Sequence, residues 1–127
     1  MKIHHLGFIV KDMKKDRIIF EALGFVEIGE VVYDFIQDNN IMFLESQDGS
    51  LLIELIEAVS ERSSVRNFKS GYHHICFESG TKMDMNQWFK ALKIGKIFTR
   101  QITAPALQNR KVVFACLNNG SLIEFIL

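Results

Sequence analysis

The sequence lacks the features that mark a protein which binds nucleic acid or a membrane. Its fifteen basic residues balance fifteen acidic ones, and no run of like charge is long enough to form a tail. A neutral chain lacks the electrostatic attraction that a phosphate backbone or an anionic lipid surface provides. No apolar run approaches the roughly 20 residues that a membrane-spanning helix needs. The sequence therefore gives no electrostatic reason to expect nucleic acid or an anionic membrane surface as a partner.

Cysteine is scarce as well, and the two that are present, Cys76 and Cys116, fall in predicted strands. A chain of 127 residues with 48% hydrophobic side chains can build its own core, so this pair does not indicate a disulfide framework. Residues 1–10 contain no apolar core with a small-residue cleavage site, so no signal peptide is predicted. These features predict one domain over residues 1–127, with free thiols, in the cytoplasm.

Two short patterns occur twice in the chain. The stretch "HHLGF" at residues 4–8 matches "HHICF" at 73–77, and "LIELI" at 52–56 matches "LIEFI" at 122–126. The two offsets are 69 and 70 residues. Because unrelated patterns recur at nearly the same spacing, the chain is interpreted as two copies of one structural unit.

The two copies define the predicted organisation of the domain. The first module covers about residues 1–58 and the second about residues 72–127. A polar, serine-rich linker over residues 59–71 joins them, and Val65 and Phe68 are predicted to anchor a short helical turn within it.

Each module is predicted to contain a strand, a helix and three further strands. In the first, Asp12 caps the helix and Gly24 ends it; in the second, Thr81 or Asp84 starts the helix and Gly95 ends it. The first helix presents an apolar stripe of Ile18, Ile19, Ala22 and Leu23. Strands are predicted at residues 3–10, 25–33, 40–46, 50–57, 73–79, 96–102, 110–117 and 121–127. The fold class is therefore α+β, with two tandem βαβββ modules.

Alternation along the strands predicts which side chains meet. Successive side chains of a strand point to opposite faces of the sheet, and the more apolar face should lie under the helix. Four residues then project from the face that the helices leave uncovered: His5, Glu54, His74 and Glu124. The first histidine of each pair, His4 or His73, is predicted to lie on the other face.

The four uncovered residues are a candidate metal site. A glutamate among Leu and Ile in the middle of a strand is costly unless something compensates its charge. Any one of the four residues alone is more simply an ordinary hydrogen-bonded or solvated side chain. Their repetition in type, register and parity instead favours a shared divalent cation, because two imidazoles and two carboxylates suit Zn, Ni, Co, Fe or Mn.

The same residues carry a resemblance to a known family. The stretches "HHLGFIVKDM", "FEALGF", "LIELIE", "SSVRNF", "GYHHICFES" and "GSLIEFIL" resemble the vicinal oxygen chelate (glyoxalase/bleomycin resistance/dioxygenase) superfamily over essentially the whole chain. Within it they resemble most the methylmalonyl-CoA epimerase and bacterial glyoxalase I groups. The resemblance implies a glyoxalase-like fold, in which paired modules form a curled mixed sheet around one divalent metal ion. It also implies the ligands His5, Glu54, His74 and Glu124.

The family implies a reaction as well. A substrate with oxygens on neighbouring carbons chelates the metal, which stabilises the enediolate formed when the α-proton leaves. The chain is thus expected to be a metal-dependent lyase or isomerase, similar to lactoylglutathione lyase or methylmalonyl-CoA epimerase. Glu124 or Glu54 is the candidate base. Gln37 and Arg110 are candidates for substrate binding, although Arg110 is equally well explained as a solvated turn residue.

Two positions depart from the epimerase pattern. Epimerases usually carry glutamine where this chain has Glu54, and glutamate there matches glyoxalase I. Their acidic residues in the second and third strands align with Gln37 and Met42, which cannot act as bases, so Asp34 and Asp38 are the nearest acids.

Two other functions remain open within the same resemblance. Non-catalytic binding modules of the superfamily sequester antibiotics and lack the metal ligands that this chain keeps. Ring-cleaving dioxygenases need two histidines and one carboxylate around iron, and Glu54 stands where that site requires histidine. The resemblance is compatible with a homodimer, because related proteins pair modules between two chains.

Overall fold

The structure is a computed structural model that describes residues 1–80 and 83–127. Within these residues the elements follow in the order β1 (Lys2–Val10), α1 (Met13–Ala22), β2 (Phe25–Asp34), β3 (Asn39–Ser46), β4 (Leu52–Ala58), β5 (Gly71–Glu78), α2 (Met85–Leu92), β6 (Gly95–Ile97), β7 (Ile102–Ala104), a 3-10 helix (Pro105–Leu107), β8 (Arg110–Leu117) and β9 (Leu122–Ile126). The predicted α+β class is confirmed.

The strands form one mixed sheet with the order β2-β3-β4-β1-β5-β9-β8-β6, and β7 pairs with β8. Strand β1 runs parallel to β4, and β5 runs parallel to β9; β1 and β5 pair antiparallel at the centre. The sheet curls, so that β2 at one end contacts the 3-10 helix near the other. The four central strands β4, β1, β5 and β9 are the first and last strands of the two repeated patterns.

The second module departs from the predicted strand boundaries at one place. The strand predicted over residues 96–102 is instead two short strands, β6 and β7, which pair with different parts of β8. Gly95 does not end helix α2; it belongs to β6, and Lys93 adopts the left-handed conformation that ends the helix. Asp84 caps α2 with hydrogen bonds to two backbone N–H groups, whereas Thr81 lies outside the described residues.

The face of helix α1 that packs on the sheet is not the apolar stripe predicted from the sequence. Ile18 and Ile19 are 58% and 60% exposed, and Leu23 is exposed as well. Met13 and Phe20 instead pack on the cluster under the helix, where Phe20 meets Phe8. The helix is short, and the two residues that pack on the cluster, Met13 and Phe20, are seven positions apart, so only one narrow face contacts the sheet.

The two paired histidines fall at irregularities between β1 and β5. Ile3 pairs with Phe77 and His5 with Cys76, so His4 has no partner opposite and is a bulged residue. In the same way, His73 is bulged between Tyr72 and His74. A bulge rotates the side chains that follow it. The prediction that His73 lies under helix α2 is therefore wrong, since His73 packs against Phe68 and lines an internal cavity.

The linker between the modules is held by a small polar network. Asn39 contacts Ser63 and Ser64, and the Asp38 carboxylate accepts hydrogen bonds from Tyr33 and Ser60. Val65 is buried as predicted, whereas Phe68 is 53% exposed. The chain makes two turns there, in which the N–H groups of Arg66 and Phe68 donate to the carbonyl oxygens of Ser63 and Val65. This network fixes the linker against the turn between β2 and β3.

Both cysteines are free thiols, with Cys76 buried and Cys116 exposed. In the part of the chain that the structure describes, neither helix is long or apolar enough to cross a bilayer.

Gly7 of β1 pairs with His74 of β5. A Cβ atom on Gly7 would overlap the His74 ring, whose Nε2 would lie only 2.9 Å away. The glycine is therefore required by the position of the imidazole, because the ring fills the space that any other side chain would take.

Replacing Gly7 should destabilise the protein mainly when the His74 ring is present. We expect Gly7→Ala to lower the free energy of unfolding by about 1–3 kcal/mol, since the ring and the strand must shift apart. In a His74→Ala background the same substitution should cost far less, which urea denaturation of the four proteins measures. An equal cost in both backgrounds would show that the ring is not the obstacle.

Candidate metal centre

Four side chains from four adjacent strands converge on one point of the sheet. His5 lies on β1, Glu54 on β4, His74 on β5 and Glu124 on β9. Each offers one donor atom, and the four atoms lie within 4.8 Å of one another. All four residues are buried. The convergence predicted from strand alternation is therefore present, and it is completed within a single chain.

The donor atoms are close enough to share one small ion. The Nε2 atoms of His5 and His74 lie 3.2 Å apart, and each lies 3.2 Å from Glu124 Oε2. Glu54 Oε2 lies 3.4 Å from His5 Nε2 and 3.6 Å from His74 Nε2. The same two atoms, Nε2 on the histidines and Oε2 on the glutamates, point inwards in both modules.

Two small residues form the floor beneath these side chains. Across the sheet, Glu54, Gly7 and His74 pair in one row, and His5, Cys76 and Glu124 pair in the next. Gly7 and Cys76 thus occupy the positions between the donors on the two central strands. Large side chains there would fill the space in which the four donors meet. Sequence reasoning missed this floor, although both residues stand two positions after a donor histidine.

Burial and mutual contact shift the protonation of the centre. Burial alone would lower the pKa of His5, but the carboxylates of Glu54 and Glu124 together raise it to about 9. Burial alone would raise the pKa of Glu124, but the imidazoles of His5 and His74 hold it well below its usual range. A proton on His5 thus offsets only part of the negative charge of the two carboxylates. Burial raises the pKa of the Cys76 thiol, which stays protonated.

Each bulged histidine contacts the donor histidine that follows it, at the ring nitrogen that faces away from the centre. His4 Nδ1 lies 2.8 Å from His5 Nδ1, and His73 Nδ1 lies 2.9 Å from His74 Nδ1. A hydrogen bond at Nδ1 fixes the orientation of an imidazole and leaves Nε2 directed at the centre. His4 and His73 therefore contact the donor histidines, and not the point at which the donors meet.

The residues present fit a divalent cation. Glu124 Oε2 is completely buried and makes no hydrogen bond of good geometry among the described residues, which is costly for a carboxylate. Donors about 2.1 Å from one ion are separated by about 3.0–3.4 Å, close to the separations found here. Two carboxylates also balance a double positive charge. Nitrogen and oxygen donors suit Zn, Ni, Co, Fe or Mn.

The centre faces an internal cavity that opens to a larger one. The inner cavity is small and is lined by the donors Glu54, His74 and Glu124 together with Asp34 and Gln37. The outer cavity of about 420 Å³ shares Gln37, Val65, His73 and Phe114 with it. The outer cavity therefore adjoins the inner cavity that the donors line.

The structure places Gln37 in the lining of both cavities. Its side-chain oxygen accepts from Ser64 Oγ at 3.2 Å, and its amide nitrogen donates to Asp34 Oδ2 at 3.2 Å. Both of its polar ends are thus engaged within the chain. Asp34 is 2% exposed and lines the inner cavity, whereas Asp38 is bound to Tyr33 and Ser60 and lines neither cavity.

Arg110 lies elsewhere. Its guanidinium pairs with Glu78, its Nη2 lies 3.2 Å from His4 Nε2, and it lines neither cavity. Met42 is buried in the core under α1. Two other arginines, Arg62 and Arg100, line the outer cavity and were missed, because isolated arginines in linkers carry no sequence pattern.

Comparison with solved structures shows the same fold. A hypothetical protein from Bacillus halodurans superposes with a TM-score of 0.79 at 23% identity, covering 98% of this chain and 92% of that one. Methylmalonyl-CoA epimerase from Mycobacterium tuberculosis gives 0.79 at 17% identity, covering 98% and 86%. A variant of the Streptomyces coelicolor epimerase in complex with 2-nitronate-propionyl-CoA gives 0.78 at 17% identity, covering 99% and 96%.

A comparison of the sequence with curated proteins finds no significant match. A sequence model of one family does match, over residues 4–114, which include His5, Glu54 and His74. The matched range spans both modules and most of the sheet. The chain belongs to the Glyoxalase/Bleomycin resistance protein/Dioxygenase superfamily, the vicinal oxygen chelate proteins whose pattern its paired histidines resemble.

Proposed function

We propose that this chain is a metal-dependent enzyme of the glyoxalase/epimerase type, which moves a proton at the carbon next to a chelated carbonyl or thioester. The observation that supports this most is the buried set of His5, Glu54, His74 and Glu124 at the end of a cavity. A solely structural ion would not need access from such a cavity. The proposed cofactor is one divalent cation, held by these four residues.

Each of the four residues has a defined part in this proposal. When bound, the cation supplies Lewis-acid stabilisation to the negative charge that develops on two neighbouring substrate oxygens. His5 and His74 hold it through Nε2, with His4 and His73 fixing the rings. The carboxylates balance its charge, and either Glu124 or Glu54 takes the substrate proton and returns it.

Asp34 is the other carboxylate within the inner cavity. Its Oδ1 accepts from the backbone N–H groups of Ile36 and Gln37, which holds the group in place at the end of β2. It stands near the positions at which the epimerases carry acidic residues. A proton transfer that involves Asp34 would assign the reaction to the epimerase type rather than to the glyoxalase type.

The substrate is proposed to be a small molecule with two adjacent oxygens. Solved relatives include epimerases in complex with 2-nitronate-propionyl-CoA and with methylmalonyl-CoA, which supports an acyl thioester as one class. The glutamate at position 54 supports the α-hydroxy thiohemiacetals of glyoxalase chemistry as the other. A cytoplasmic location and a homodimer stay predictions.

Protein purified without chelator should contain about one divalent ion per chain. Glu124→Gln should lower the affinity for that ion at least about tenfold, because it removes a buried charge and a donor. Metal analysis and isothermal titration with Zn, Ni, Co and Mn measure both. Glu45→Gln, on the partly exposed β3, is the matched control and should bind as the wild type does.

Less than about a tenth of an equivalent of metal, with none taken up on titration, would contradict the proposal. Equal affinity in the Glu124→Gln and Glu45→Gln variants would contradict the assignment of the donors.

The metal-free protein should lose stability as the pH rises. The pKa of His5 is raised from 6.5 to about 9 in the folded state, so its protonation stabilises the fold fully below pH 6.5. That stabilisation, on the order of 3 kcal/mol, is lost as the pH rises through about 9. Urea denaturation at several pH values should show the decline in wild type and a smaller one in His5→Gln. A stability that is flat from pH 6.5 to about 9 would disprove it.

The reaction type can be read from exchange in D2O. We expect the metal-loaded protein to incorporate deuterium next to the carbonyl of either α-hydroxy thiohemiacetals or 2-methyl acyl thioesters, detected by mass spectrometry. Glu124→Gln and Glu54→Gln separate the two candidate bases, and Asp34→Asn should abolish exchange only if the reaction is of the epimerase type.

Protein loaded with metal that exchanges neither class would support the non-catalytic binding module instead. Exchange that persists unchanged in the Glu54→Gln, Glu124→Gln and Asp34→Asn variants would remove all three carboxylates as bases.

A further inference from the structure

The outer cavity is built largely from segments that carry no donor of the metal centre. Its walls come from the turn between β2 and β3, the linker and the segment between β6 and β7, and strand residues His73, Ile102, Phe114 and Leu122 complete them. These three segments belong to both modules and meet only because the sheet curls. The cavity leads to the inner cavity at Gln37, Val65 and His73.

Two of the five arginines line this cavity, and they differ from the other three. The guanidinium groups of Arg17, Arg66 and Arg110 each contact a carboxylate or a carbonyl group of the protein. Those of Arg62 and Arg100 form no hydrogen bond or ion pair with any described residue. The two guanidinium groups without such a partner thus lie at the same cavity.

No carboxylate among the described residues lines the outer cavity alongside these arginines. The inner cavity, in contrast, is lined by Asp34, Glu54 and Glu124. The outer cavity therefore carries basic groups and the inner cavity acidic ones. A bound cation would neutralise the inner cavity. Hydrogen bonds from Ser60 and Tyr33 lower the pKa of the Asp38 carboxyl, and the charge of Arg62 adds to this shift, but Asp38 lines neither cavity.

Between the two ends the walls are apolar. Phe98 and Phe68 are 57% and 53% exposed, and Ile102, Leu122 and Phe114 complete this side of the cavity. Large aromatic side chains are seldom left this open without a ligand or partner to cover them. Because these side chains line the same cavity as the two arginines, they indicate an apolar segment in the molecule that fills it.

We propose that the outer cavity binds an anionic end of the substrate, with Arg62 and Arg100 as specificity-determining residues. The substrate class is then a molecule with a chelating head, an apolar body and a terminal carboxylate or phosphoryl group. This rests on the proposed function for the head, but the recognition of the anion is independent of metal. Arginine suits both anions, because its planar donors pair with two oxygens at once.

Hydroxamates of dicarboxylic acids are suitable probes, because they carry a bidentate head and an anionic end. The series varies the length of the apolar chain and ends in a carboxylate, a phosphonate or an uncharged methyl ester. Titration into the metal-loaded protein measures affinity. We expect the anionic ends to bind about 5–30-fold more tightly than the ester at one preferred length, as for partly exposed charge-assisted pairs.

The double variant Arg62→Ala/Arg100→Ala should abolish this preference and leave the affinity for the ester unchanged. Arg66→Ala/Lys69→Ala is the matched control, since it removes the same net charge from linker residues that lie outside the cavity. If the control loses the preference for anionic probes to the same extent, the preference comes from general surface charge, and the proposal is overturned. A wild-type protein that binds the ester as tightly as both anions would overturn it as well.

A second measurement distinguishes failure of the proposed function from failure of this inference. Metal-free protein is titrated with anilinonaphthalene sulfonate and with its uncharged analogue N-phenylnaphthylamine, and fluorescence reports binding. Preference for the sulfonate that disappears in Arg62→Ala/Arg100→Ala supports the anion site even if no metal binds. Equal preference in wild type and double variant disproves the anion site, whatever the metal experiments give.

Discussion

Two carboxylates buried at one point of the sheet are the constraint on which the rest of this structure depends. Glu54 and Glu124 lie on strands separated by β1 and β5, and both turn their Oε2 atoms to the same place. Two like charges in a desolvated site are tolerated only if positive charge is supplied with them. A proton on His5, whose pKa the two carboxylates raise to about 9, supplies it in part. The small floor and the bulged histidines serve to bring these four groups together.

Much of this centre follows from the sequence because a strand has a simple periodicity. The repeated patterns located β1, β4, β5 and β9, and alternation then predicted that His5, Glu54, His74 and Glu124 share a face. The sheet order and the pairing of β1 with β5 are what bring the two modules into one site. A sequence with two such patterns therefore contains nearly all the information about its centre.

The remaining features depend on contacts between segments distant in the chain. The bulges at His4 and His73 arise from the pairing of β1 with β5 and leave no mark in either strand alone. The buried face of α1 is set by Phe8 and Phe25 around Phe20, rather than by the most apolar stripe. Arg110 is occupied by Glu78 from β5, and Arg62 meets Arg100 at a cavity only because the sheet curls.

The two rows of paired residues, Glu54–Gly7–His74 and His5–Cys76–Glu124, are related by an approximate twofold rotation of one module onto the other. The point at which the donors meet lies on that axis, so the two glutamates begin as equivalent partners. Their surroundings are not equivalent, because Asp34 and Gln37 come from the first module and Ala104, Ala106 and Leu107 from the second. The repeat thus makes the four donors nearly symmetric, and the different loops of the two modules make the surroundings of the donors asymmetric. A chiral substrate in the inner cavity would therefore contact two carboxylates that are equivalent in the repeat but have different neighbouring residues.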